Sequence, residues 1–406
     1  MSGNKSAIYK LKGVIRKYDW GGADFLSELL SYPNPLNEPM AEYWLGAHES
    51  APALVETLNG DVELNKWIAD DSERILGKTV AKKFGRLPYL LKLLDVKDML
   101  SIQVHPSKHI AEVEFARENK GGIPFNARNR NYRDDNHKPE LVVSLNNFWL
   151  LHGFKPVQKL MTTLQLVPEL KPLAKIFDES GYDQLYKTVM EMPQQSVNEV
   201  LQPLLDRVIP LYQKNELTKE QEDFWAARAA MIFNRKEIDR GIFSIYFFNL
   251  LCLKTGEGIF QDAGVPHAYL EGQNVEIMAN SDNVLRGGLT TKHIDVKELM
   301  KNIKFEETVP NILHPQKIDH AEVYRTGAPD FKLSHLRLKR DENVSFESTT
   351  AEILLVIDGD VLVNSGSNEI TLNRGGAAFI VSNRHVELTG LSGSDLYIAS
   401  VPVHNS

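Results

Sequence analysis

The chain has 406 residues, a formal net charge of −8, 42% hydrophobic and 25% charged residues, which allows two or three domains and a sizeable core. The acidic balance argues against a general nucleic-acid or membrane-surface binder, since both partners want a basic face; a small anionic substrate needs only a few local cations and stays open. Cys252 is the only cysteine, which excludes an internal disulfide and a thiolate-rich metal site and suits a reducing compartment.

Taken from the amino end, MSGNKSAIYKLKG has no apolar signal-peptide core, and the apolar run from Phe243 to Leu253 is too short to span a bilayer, so a cytoplasmic location is expected. The first part reads as β-rich with short helices. LPYLLKLLDVKDMLSIQVHP holds two dense apolar runs, read as two strands, and HKPELVVSLNNFWLLHGF reads as a further strand pair. From Pro156 to about Arg235 glycine almost disappears and apolar residues fall at helical spacing: Leu160, Leu164 and Val167; then Val197, Val200, Leu201, Leu204, Leu205 and Val208; then Phe224, Trp225 and Arg228 to Ile232. This is a helical block inside a β protein, read as a packing module or lid without chemistry of its own. Strand character is expected to return with FSIYFFNLLCLKTGEGIF, where Cys252 reads as a buried inert thiol. A linker with Pro310 and Pro315 follows, and from about Val323 the chain is almost all short strands.

A faint repeat links the two β regions. LKTGEGIF, from Leu253, resembles LNRGGAAF, from Leu372; His267 follows Phe260 by seven residues and His385 follows Phe379 by six. One residue in a strand turns the side chain to the other face, so the second copy is expected to keep the barrel and lack a metal site. A tandem double-stranded β-helix, the cupin type of barrel, fits this form.

Gln103 and His105 stand at i and i+2, on one face of a strand that Pro106 ends. Glu140 follows Pro139 and opens an apolar strand, where a carboxylate is costly unless paired or metal-bound. His267 follows Pro266 and also opens a strand. Two imidazoles, a carboxylate and an amide oxygen form a borderline set that suits zinc, with water or substrate completing the shell. A lone Q-x-H is a weak signal, since a lone histidine is more often an ordinary residue of a core or a surface; the case for a metal rests on three polar segments, each bounded by proline and next to a strand.

At these segments the sequence resembles the type I mannose-6-phosphate isomerases (phosphomannose isomerases), zinc-dependent cupins. The resemblance runs over nearly the whole chain, in YDWGG near Tyr18, MAEYWLGAH from Met40, LPYLLKLLDVKDMLSIQVHPSK from Leu87, NYRDDNHKPEL from Asn131 and DAGVPHAYLEGQNVEIMANSDNVLRGGLTTKHIDV from Asp262. It implies a mainly β fold with an α-helical insertion and tandem cupin-like barrels: 1–154 plus 236–310 as a catalytic cupin domain, 155–235 as the helical insertion and 311–406 as a cupin-like domain without metal. It implies one zinc per chain on Gln103, His105, Glu140 and His267. The family usually has Asp where Ser107 stands and Pro where Thr291 stands, neither of them a ligand position.

The implied reaction interconverts mannose 6-phosphate and fructose 6-phosphate by moving a proton between C1 and C2 through a cis-enediol. Arg286, beside two glycines, has the planar fork for an oxyanion. Ser101, Lys108, Lys92 and Lys292 are candidates for the phosphate and the sugar, and Tyr269 and Trp20 for the pocket lining. Lys138 shares an extended face with Glu140 and, with Glu276, is a candidate base; Asp282 is a rival carboxylate and His137 a candidate for ring opening or proton transfer. Asn280 and Asn283 bind hydroxyls or shape the loop. FNARNRNYRDD reads as a surface loop with solvated arginines. A sugar- or metal-binding cupin without turnover and an iron oxygenase are the alternatives, separated by turnover and by metal analysis. No membrane or nucleic-acid partner is expected, a monomer is the default, and the resemblance implies either mannose supply for activated-sugar synthesis or mannose use as a carbon source.

Overall fold

The computed structural model describes residues 6–233 and 237–402. Two large antiparallel sheets and a small one carry the molecule, of ten, nine and four strands. Strands are expected where apolar residues alternate, and the alternation here has a use on both faces. In the Tyr89–Val96 strand, Leu91 and Leu93 enter the core shared with Ile353, Leu355 and Phe379 of the nine-stranded sheet. Lys92, between them, therefore points to the opposite face. Val275 and Ile277 join the same core, and Glu276 lies between them.

The His267–Ala279 strand organises the ten-stranded sheet. Its first half pairs with Phe148–Phe154, and its second half pairs with Tyr89–Val96 on one side and Glu140–Ser144 on the other. The change of partners falls at Gly272, where φ is +125° and a Cβ would meet the Asn147 carbonyl at 2.7 Å. Only glycine lets the strand turn there while its neighbour approaches so closely. The expected strands at LPYLLKLLDV, SIQV, ELVVS and FWLLHGF are all present. The last two are not hydrogen-bonded to each other but reach the same long strand.

The helical block is present as Val157–Leu166, Lys171–Glu191, Gln194–Gln213 and Glu222–Ile232. Leu160, Leu164, Leu201, Leu204 and Trp225 are fully buried and pack with Leu151, Phe154 and Phe248 of the sheet. Strand character returns later than expected: Gly241–Phe247 is a helix, buried throughout, and the strand starts at Phe248. The β-branched and aromatic residues of GIFSIYF favour a strand locally; burial among Tyr186, Trp225 and Leu289 overrides that preference. Cys252 is half-buried rather than fully buried, and burial raises its thiol pKa.

The carboxyl-terminal strands form the four-stranded sheet and most of the nine-stranded one. The nine-stranded sheet also takes in Ile8–Lys12, Leu54–Thr57 and Gly60–Glu63 from the amino-terminal part. Leu11 pairs with both Ala377 and Val55, so this sheet crosses the boundary expected between the first and last parts of the chain. The two repeat segments have the same form: Leu253 ends one strand and Gly258–Gln261 is the next, while Leu372 ends one and Ala377–Ile380 is the next. His385 is on the solvent face, ion-paired with Glu347 and Glu387.

Glu352 opens the Glu352–Asp358 strand at 6% exposure, and burial pushes its carboxyl up to about 8, against a partial offset from Lys332. At roughly pH 4 or below, the group is largely protonated in both folded and unfolded chains and costs little. Between there and its folded value the unfolded chain releases the proton and the folded chain keeps it. Stability then falls as pH rises, by about 1.4 kcal/mol per pH unit, and levels off above that value. Glu352→Gln should therefore raise the urea midpoint at pH 8.5 (about half a unit above that value) and leave it nearly unchanged at ~pH 4; equal shifts at the two pH values would refute this.

Candidate metal centre and its cavity

Five segments bring the site together. Ile102–Val104 pairs Gln103 with His267 on one side and Arg286 on the other, and His105 follows as the strand ends. Glu140 opens its strand beside Met278 and Gln261. Glu140 is 3% exposed, His105 0% and His267 2%. Their ligand atoms lie within 4.8 Å of one another.

The protonation pattern follows from the hydrogen bonds. His105 Nδ1 lies 2.9 Å from the Asn283 carbonyl and His267 Nδ1 lies 3.0 Å from the Val265 carbonyl. A carbonyl only accepts, so each Nδ1 carries the proton and each Nε2 presents a lone pair. Both lone pairs face Glu140, with His105 Nε2 3.3 Å from Oε1 and His267 Nε2 3.3 Å from Oε2. Burial holds His105 down to about 4, with Lys138 and His267 adding to the effect against Glu140, so no proton bridges that gap near neutrality. His105 Nε2 is buried without a hydrogen bond. Two imidazole lone pairs turned on one carboxylate need a cation between them, and a divalent metal fits this donor set.

Glu140 is held well below the usual carboxylate range; burial opposes this, and the Lys138 charge leads the effects that overcome it. Lys138 Nζ is 3.0 Å from Oε1, and the Tyr269 hydroxyl donates to Oε2 at 3.2 Å and to Glu276 Oε2 at 3.1 Å. Glu276 pairs with Lys92 at 2.9 Å. Burial raises the Glu276 carboxyl, with Glu140 adding and Lys92 opposing. Burial alone would lower the Lys92 ammonium, but Glu276, Glu42 and Glu140 raise it above its ordinary value, so it stays charged.

A cavity of about 510 Å³ adjoins this cluster. Of the residues singled out in the sequence, Trp20, Lys92, Ser101, Gln103, Lys138, Asp282, Arg286 and Lys292 line it. Arg286 Nε is buried without a partner among the described residues, and burial together with Arg133 lowers its pKa. Glu276 stands behind Lys92 and does not line the cavity.

Four expectations need correction. Tyr269 is not on the cavity wall: it is 4% exposed, packs on Phe148, and spends its hydroxyl on the two carboxylates. His137 faces away and hydrogen-bonds Asp330 at 2.8 Å, because neighbours on an extended chain point to opposite sides and Lys138 has taken the cavity side. Lys108 sits on the first turn of the Lys108–Lys120 helix, bonded to the Asp135 carbonyl and off the cavity wall. Arg130 is not solvated either; at 6% exposure it donates to the Tyr132 and Ile123 carbonyls. Ser107 caps its helix by accepting from the Ile110 amide at 3.3 Å, a task its oxygen shares with Asp.

Sequence reasoning missed Glu42 and Trp44, which line the cavity, and His48, 3.4 Å from Asp282. Lys92 Nζ and the Arg16 guanidinium lie 5.1 and 5.0 Å from the Trp44 ring. Their signal was the alternation of Glu42 and Trp44 with the core residues Tyr43 and Leu45. Asn283 shapes the loop: its Oδ1 accepts from the Arg133 amide at 2.7 Å and its Nδ2 donates to the Asp134 and Asn136 carbonyls at 2.8 Å. The same residue's carbonyl holds His105. Asn283→Ala should free that carbonyl and weaken divalent-metal affinity by roughly 10- to 100-fold, measured by competition with a chromogenic chelator; unchanged affinity would remove the loop from the site's support.

Residues 8–157 match the family described as phosphomannose isomerase type I, catalytic domain. Mannose-6-phosphate isomerase of Escherichia coli (strain K12) is 38% identical over 383 residues, 93% of this chain and 95% of that protein. The Homo sapiens protein of the same name is 33% identical over 426 residues, 96% of this chain and 97% of that one. A crystal structure of mannose 6-phosphate isomerase from Salmonella typhimurium, bound to its substrate fructose 6-phosphate and to zinc, superposes with a TM-score of 0.88 at 32% identity, covering 98% of this chain and 100% of that chain. The chain belongs to the type I phosphomannose isomerase family.

Proposed function

We propose that this chain is a zinc-dependent aldose–ketose isomerase that interconverts mannose 6-phosphate and fructose 6-phosphate through a cis-enediol. The observation that carries the reading is a buried His105–Glu140–His267 cluster, both Nε2 lone pairs turned inward, beside a cavity rich in cations. One zinc per chain is held by Gln103, His105, Glu140 and His267. Zinc, when bound, supplies a Lewis acid that stabilises negative charge on neighbouring carbonyl and hydroxyl oxygens.

The chain's own residues supply the rest. Ser101, Lys292 and Arg286 hold anionic oxygens from the cavity wall, with the Arg286 fork suited to two of them. Trp20 gives the sugar an apolar side. Lys92 remains an ammonium and stabilises charge on the reacting oxygens. A cation held by Glu140 and the two histidines would neutralise the carboxylate that pairs with Lys138 and favour the free amine, which from the cavity wall takes the proton from C2 and returns it at C1. Glu276 acts behind Lys92, fixing its charge and position, and Asp282 with His48 shapes the rim.

The same reading extends to the whole molecule. Residues 1–154 and 236–310 form a catalytic cupin barrel, 155–235 an inserted helical domain, and 311–406 a cupin-like barrel without metal, its sheet shared with the first strands of the chain. The protein works as a cytoplasmic monomer. Among the described residues no helix is long and apolar enough to cross a membrane.

Conversion of mannose 6-phosphate to fructose 6-phosphate, followed by a coupled assay, should stop on chelation and return on zinc add-back; a zinc-loaded protein without turnover would overturn the reading. Lys138→Met should keep its zinc and lose at least about 10²-fold in turnover. Exchange of the C2 hydrogen with solvent should vanish with it; exchange that survives excludes Lys138 as the base and turns the test to Glu276→Gln.

A further inference from the structure

A second polar cavity, of about 440 Å³, lies away from the metal cluster, where residues 73–80 meet the carboxyl-terminal sheet. Arg74, Lys78 and Arg384 line it against one acid, Glu73. This local excess of positive charge runs against the chain's net charge of −8.

The two arginines are held in place, yet each keeps a buried donor that no acceptor among the described residues takes up. The Arg384 amide donates to Ser348 Oγ at 3.1 Å, and that hydroxyl donates to the Val381 carbonyl at 2.9 Å. The Arg384 guanidinium has no hydrogen bond or ion pair among the described residues, and its Nε is buried. Arg74 donates from Nε to Asp71 at 2.6 Å and lies 5.7 Å from the Trp67 ring, while its Nη1 is buried without an acceptor. The wall is tied across the two parts of the chain: the Ser382 amide donates to the Ile75 carbonyl at 3.0 Å, and Ser382 Oγ donates to the Arg74 carbonyl at 3.1 Å. A Cβ on Gly77 would come within 3.3 Å of Ser382, so the contact is close.

A buried guanidinium donor without an acceptor is costly, and an oxyanion supplies acceptors in the geometry its fork matches. The volume falls in the range of small-molecule sites. We propose that this cavity binds a small phosphorylated metabolite at a site separate from the catalytic one, its phosphate held by Arg74, Lys78 and Arg384. Because the wall joins residues 73–80 to the loops that carry Thr349 and Ser382, occupancy fastens the amino-terminal part of the chain to the carboxyl-terminal sheet.

Hydrogen–deuterium exchange on the zinc-loaded enzyme tests this, with inorganic phosphate as probe and chloride of equal ionic strength as control. Phosphate should slow exchange at 72–80 and 382–386 in addition to the segments around the catalytic cavity. Arg384→Gln should abolish protection at 72–80, weaken that binding about 10-fold or more, and leave turnover in phosphate-free buffer unchanged. Should Arg384→Gln fail to fold, Lys78→Gln, which changes an exposed side chain, must weaken the same protection. Protection confined to the catalytic cavity overturns the proposal. So does equal protection by chloride, or protection at 72–80 that survives both substitutions.

Discussion

A carboxylate at 3% exposure is the constraint on which this molecule turns. Glu140 cannot be ionised in such a place unless cations or donors meet both oxygens. Lys138 and the Tyr269 hydroxyl meet one oxygen each, and the inward lone pairs of His105 and His267 leave the rest to a bound cation; the Tyr89–Val96, Ile102–Val104, Glu140–Ser144 and His267–Ala279 segments bring these groups together. Their assembly requires the strands of the ten-stranded sheet to be paired in register, so completing the fold and completing the site are one event. The network then passes on through Tyr269 to Glu276 and Lys92, and from Lys92 to the face of Trp44. Charge is balanced pair by pair, from the deepest residue to the cavity wall.

The period of the β-strand makes this compatible with a stable core. Leu91, Leu93, Val275 and Ile277 bury one face against the nine-stranded sheet while Lys92 and Glu276 occupy the other. Each strand of the site is thus half structural and half chemical, residue by residue. A one-residue slip would place the ion pair in the hydrocarbon core and the leucines in the cavity. The register is fixed by that penalty as much as by hydrogen bonds.

This parity explains what could be read from the sequence. Gln103 and His105 at i and i+2, prolines beside Glu140 and His267, and Lys138 two residues from Glu140 are local patterns, and the structure brings these segments together at one place. The same parity argued against His137, which neighbours Lys138 and faces Asp330. Tyr269 and Arg130 were misread because burial comes from distant segments: Phe148 packs on one, and the carbonyls of Ile123 and Tyr132 take up the other. The helix Gly241–Phe247 was hidden for a similar reason, its strand-favouring residues outweighed by a core that only the folded chain supplies. Glu42 and Trp44 carried a legible alternation, but nothing local tied them to the cavity.

The sheet shared between the two ends of the chain sets the order of events during synthesis. Ile8–Lys12 leaves the ribosome early, and its partner Ala377–Ile380 follows hundreds of residues later. Until then the strand offers unpaired amides and carbonyls along the edge that Ala377–Ile380 will cover, and neighbouring chains can pair with it. Pairing across so long a stretch of chain is slow, because the loop must close before any contact is gained. The nascent protein therefore carries an open template until Ala377–Ile380 is made, and its yield in the cell depends on what shields that edge.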